Sequence, residues 1–113
     1  MNHALPGEDL IEAGLRDLRE GRESIAGLLV AIGSPRLRRL GLELPDNLPS
    51  NPEHRLYHLL AKDDSDSAHS RYNAYIRRLV SYERAAELMQ GITLRDKLEE
   101  FLFNLRETNR VGH

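Results

Sequence analysis

Apolar residues in this chain recur at intervals of three and four, and nowhere do they alternate with period two over a useful length. Such spacing paints one stripe on a helix and gives a strand no consistent face. No hairpin dipeptide separates two β-branched runs either. The chain is therefore expected to be all-α. Its 113 residues suit one domain, taken as residues 1–113, and no internal repeat divides it. The apolar share is 40% with 8 glycines besides, within the range of chains that fold around a core.

Glycine and proline punctuate the pattern into about five helices, two long and three shorter. The first long one is expected over residues 8–32, behind Pro6 and Gly7 and with Glu8, Asp9 and Glu12 at the positive end of the macrodipole. Its seam, Ile11, Leu15, Leu18, Ile25, Leu29 and Ile32, is interrupted by Arg22. Gly14 and Gly21 fall beside the stripe, where another helix would approach closely; a break into two helices near Gly21 is the alternative. Ser34 and Pro35 start a short helix that ends at Gly41. The proline-rich stretch 45–52 reads as a loop, Asn51 and Pro52 open a helix to residue 61, and the acidic run 63–67 reads as a turn. A second long helix is expected over residues 67–90, closed by Gly91. A last one follows over 94–106, with Thr93 and Asp96 as its capping pair.

These stripes predict a core of Leu15, Leu18, Ile25, Leu29, Ile32, Leu56, Leu59, Leu60, Ile76, Leu79, Phe101 and Leu105. The first and last helices carry heptad-like seams, more apolar surface than one short chain readily covers, so the bundle is expected to be a homodimer. Arg22 and Glu83 each interrupt a stripe near the middle of a long helix. Antiparallel packing of those helices would join them as a buried ion pair that sets register.

Composition closes several routes to function. Without cysteine, disulfides, thiolate metal sites, iron–sulfur clusters and cysteine nucleophiles are excluded. A net charge of −2 removes the simplest reason for non-specific nucleic-acid binding. The longest strongly apolar stretch, 24–33, is half the roughly 20 residues a membrane helix needs, and the first ten residues lack the features of a secretory signal. A cytoplasmic protein with no membrane association is the expectation. No glycine-flanked serine elbow or phosphate-binding glycine loop is present. Glu20 and Glu23 with Glu43 and Asp46 have the spacing of magnesium-holding carboxylates, but Pro45 keeps the second pair from sharing a helix face.

Two local patterns retain chemical interest. His54 and His58 are one helical turn apart, the spacing at which two imidazoles reach one divalent metal ion, with Asp63, Asp64, Asp66 and His69 close in sequence. A metal-dependent hydrolase could be built on that pair. Arg71, Tyr75, Arg78 and Tyr82 alternate guanidinium and aromatic along one flank of the second long helix, and Arg36, Arg38 and Arg39 on the short helix could extend the patch toward nucleic acid. The leading expectation is a non-catalytic interaction or regulatory module, with no required cofactor. Its surface for a protein partner would comprise the short helix, the proline-rich loop and the histidine helix. A nucleic-acid-associated regulator is the second reading and the hydrolase the third.

Overall fold

The computed structural model describes residues 4–111, and among these there are five helices and no strand. They are α1 (Glu8–Arg19), α2 (Ile25–Ile32), α3 (Ser34–Arg39), α4 (Pro52–Asp63) and α5 (Ala68–Val111). The expected all-α class is what the chain adopts.

The long first helix does not form, and the break near Gly21 does. Gly21 takes φ +72°, a conformation that a side chain disfavours. Around it the Arg22 amide donates to the Asp17 carbonyl at 2.8 Å and the Gly21 amide to that of Leu18 at 3.1 Å. This pair of bonds is the Schellman arrangement that satisfies a helix's last carbonyls. Ser24 then caps α2, its hydroxyl accepting from the Gly27 amide at 3.0 Å and donating to Asp17 Oδ2 at 2.7 Å. Arg22 closes the corner onto Asp17 at 2.9 Å and onto Glu20. The Ser24 hydroxyl bond, and after it the Arg22 bond, hold the Asp17 carboxyl below its usual range.

Breaking the helix lets α1 fold back on α2. Six of the eight residues of α2 are buried, and an apolar helix with no polar face belongs in the middle of a fold. Ile11 from α1, Leu56 and Leu60 from α4, Leu37 and Leu40 around α3, and Leu79, Tyr82 and Ala86 from α5 complete the core with Leu28, Leu29 and Val30. The contact of α1 with α2 depends on Gly14, where a Cβ would overlap the Ala26 carbonyl oxygen and the Val30 side chain. Gly14 is thus the close approach expected from its place beside the stripe. Gly21 is a turn residue with nothing within 4 Å of an added Cβ. On the outer side, the rings of Tyr57 and Tyr72 meet at 5.7 Å and join α4 to α5.

The second correction concerns the carboxyl-terminal half. Gly91 does not end a helix, and α5 runs unbroken for 44 residues. No proline follows Pro52 to remove a backbone bond. Thr93, expected to cap a new helix, instead donates its hydroxyl to the Met89 carbonyl at 3.0 Å. At 1.5 Å per residue α5 is about 66 Å long, which accounts for most of the 73 Å long axis of a molecule 27 by 26 Å across. The Cα radius of gyration is 19.5 Å, against about 13 Å for a compact chain of this length.

Of the expected core, Leu29, Leu56, Leu60 and Leu79 are buried, while Leu15, Leu18, Ile25, Ile32, Leu59 and Ile76 pack half-buried against it. Phe101 and Leu105 are not core residues: they are 58% and 45% exposed, because their half of α5 extends past the other four helices.

Three glycine substitutions separate these roles in urea unfolding followed by circular dichroism. Gly14→Ala is expected to lose about 2 kcal/mol or more through overpacking, and Gly21→Ala about 1 kcal/mol through the left-handed backbone. Gly91→Ala is expected to raise helicity and to stabilise α5 by up to about 1 kcal/mol. A destabilised Gly91→Ala protein would contradict the unbroken helix.

Candidate interaction surface

The edge of the bundle along α5 is marked by polar contacts. Arg36 of α3 donates Nε to Glu87 Oε1 at 2.6 Å and Nη1 to Glu83 Oε1 at 3.3 Å. One turn further on, Gln90 Nε2 donates to the Leu40 carbonyl. Beyond Gln90, the described side chains to residue 108 are exposed apart from the partly covered Ile92 and Glu107.

Glu83 is 4% exposed. Its Oε2 lies so close to Gly33 that a Cβ there would be 3.0 Å away. Burial raises its carboxyl above the ordinary value, with the Arg36 charge opposing and Glu87 adding to the rise. Glu87 is more open, and its bond to Arg36 lowers it. The partner of Glu83 is therefore Arg36 and not Arg22, which is drawn to Asp17 and Glu20 at the corner after α1. Once α1 stops at Arg19, the geometry that would have aligned Arg22 with Glu83 no longer exists. The spacing of Glu83 and Glu87, four apart on one face, was the available signal for a guanidinium that bridges both.

The other arginines are divided. Arg38 donates to the Pro45 carbonyl at 3.1 Å, Arg71 to Asp63 at 2.8 Å, and Arg78 stands 3.9 Å from Asp9; Arg39 is exposed. Tyr82 is in the core and Tyr75 is half-buried at its margin. At 100° per residue, Arg71 and Arg78 lie about 120° or more around α5 from Glu83 and Glu87, where α3 brings Arg36. The two arginine groups thus occupy different flanks and do not form the single patch that their sequence positions suggested.

His54 and His58 are exposed on α4 and border a shallow depression with Glu23, Arg55, Leu59 and Lys62. The nearby acids have other engagements. Asp63 holds Arg71, and Asp64 accepts from the Asp66 amide and the Ser67 hydroxyl in the turn before α5. His69 contacts Asn73 on α5 at 3.2 Å. Among the described residues no three histidine or carboxylate side chains cluster closely enough to hold a metal ion, and no helix is long and apolar enough to cross a membrane.

What stands out is apolar. Apart from Tyr57, every exposed large apolar side chain among the described residues lies between positions 88 and 105. Leu94, Leu98, Phe101 and Leu105 follow one another at spacings of four, three and four, with Leu102 beside them, and each is between 45% and 67% exposed. That is the a/d pattern of a coiled-coil seam, on a helix that has no neighbour there. The first-helix seam, by contrast, is absorbed within the bundle. No known protein family, curated protein or solved structure matches this chain.

The Arg36 contact yields a pH test. Because Glu83 is raised above 4.5, the folded chain retains a proton there over a range in which the unfolded chain has lost it, so stability falls as pH rises through that range. Glu87, lowered from 4.5, has the opposite sign: its stabilisation is present at neutral pH and is lost in acid. Urea unfolding from pH 4 to 7 should show Glu83→Gln gaining on the wild type as pH rises. Parallel stability curves would refute the assignment.

Proposed function

We propose that this chain is a non-catalytic helical interaction module that acts as a homodimer, joined through the projecting half of α5. The observation that carries this reading is the exposed seam of Leu94, Leu98, Phe101, Leu102 and Leu105 on a helix extending beyond its own bundle. Contiguous apolar surface of this kind marks a site of association. The contact is put on this stalk, and not on the short helix, proline-rich loop and histidine helix, because the exposed large apolar side chains collect there.

The magnitudes favour a reversible dimer. Completing the burial of five such side chains on each of two copies is worth about 10 kcal/mol in all. Association costs at least about 4 kcal/mol. The remainder corresponds to a dissociation constant of tens of micromolar. Charges along the stalk are mixed, Arg95, Lys97 and Arg106 standing among Asp96, Glu99, Glu100 and Glu107, which suits an uncharged, like-with-like contact better than a polyanion.

Sedimentation equilibrium tests this directly. At about 200 μM, above that dissociation constant, the wild-type chain should approach twice its monomer mass. Leu98→Glu should remain monomeric, with the bundle's unfolding midpoint preserved because position 98 lies outside the core. A wild-type monomer at that concentration overturns the proposal.

A further inference from the structure

We infer that the two stalks pair antiparallel about a two-fold axis between residues 99 and 100. This rests on the homodimer reading and adds its geometry. Among antiparallel registers the whole seam is self-complementary about this centre: Leu94 faces the partner's Leu105, and Leu98 faces the partner's Phe101. Each of these four residues then has an apolar counterpart. A parallel pair would also match the seam, but it fails further back along α5.

At 100° per residue, Glu83 and Glu87 lie within about 30° of the meridian of the stripe. That meridian is occupied at the bundle by Arg36 of α3, bonded to both carboxylates. In a parallel pair the packed half of one α5 would continue along that line and run into the other copy's α3. In the antiparallel pair the described partner helix, Ala68–Val111, stays clear of α3. About the same centre, residue 111, the last of α5, comes level with residue 88. Over its described residues the pairing therefore reaches to one residue short of Glu87.

Leu102, on the flank of the seam, comes near the partner's Arg95, whose aliphatic stem can lie over it. The arrangement is isologous, so it closes at two copies, and it sets the two bundles at opposite ends of one rod.

Small-angle X-ray scattering on the wild-type protein at about 200 μM, where the proposed dimer predominates, reads the geometry. One chain is 73 Å long, and an antiparallel pair overlapping along the stalks should extend to roughly 110 Å. A parallel pair would stay near the length of one chain. The absence of native cysteine allows a residue-level check with Leu94→Cys and Leu105→Cys chains under mild oxidation. Mixed together they should cross-link at least ten times more than either alone. A second pair, Leu98→Cys with Phe101→Cys, should behave likewise, which covers the event that one substitution weakens the contact.

A dimeric mass with a length near 73 Å, or cross-links within each single variant alone, overturns the antiparallel arrangement and leaves the homodimer standing. A monomeric mass overturns both. So does a dimer that neither mixture cross-links, since its contact would lie elsewhere.

Discussion

An eight-residue helix without a polar side has to be enclosed, and the arrangement of this molecule follows from enclosing α2. The helix contributes Leu28, Leu29 and Val30 to the deepest part of the core, so α1, α4 and the first half of α5 must each turn an apolar face toward it. The corner at Gly21 lets α1 double back, and Gly14 lets it come close. Neither adds buried apolar area of its own; both are conditions for burying the rest. Asp17 fixes the corner by accepting from Arg22 and Ser24, so the end of α1 and the start of α2 are tied to one carboxylate.

Much of this was legible in the chain. The all-α class, the helix start at Ser34 and Pro35, the loop of prolines and the helix after Asn51 follow from local chemistry that the surroundings do not overturn; only the cap differs, Gly33 taking that place with Ser34 already inside the helix. Two features misled, and both involve glycine. Gly21 and Gly91 have the same intrinsic cost within a helix, yet one ends a helix and the other is carried through. The difference lies in what each break would achieve. At Gly21 a turn allows the fold to close over α2, whereas at Gly91 the flanking segments have nothing to fold back onto and the backbone bonds along α5 are simply retained. Local sequence does not record that distinction.

The candidate site was partly legible for a related reason. The stripe from Leu94 to Leu105 was visible as a seam, but a seam alone does not say whether it faces its own chain. Most apolar stripes are buried within their own domain, which is why the spacing of Phe101 and Leu105 points inward. Glu83 stands out in the sequence as a charge among apolar neighbours, and it is buried; Arg22 would meet it only if one helix ran through residue 22, and α1 ends at Arg19. Arg36 comes from a six-residue helix whose position depends on tertiary packing.

The contact of Arg36 with Glu83 and Glu87 stands at the boundary between the two halves of α5, and that gives Gly91 a mechanical meaning. A beam held along half its length carries its greatest bending moment where the support ends. In a single copy the support ends at Gln90, and the next residue is the one in the projecting half of α5 without a side chain to brace its backbone. The point of greatest leverage and the point of least stiffness therefore coincide, so a load applied at the tip is concentrated within one turn of the helix.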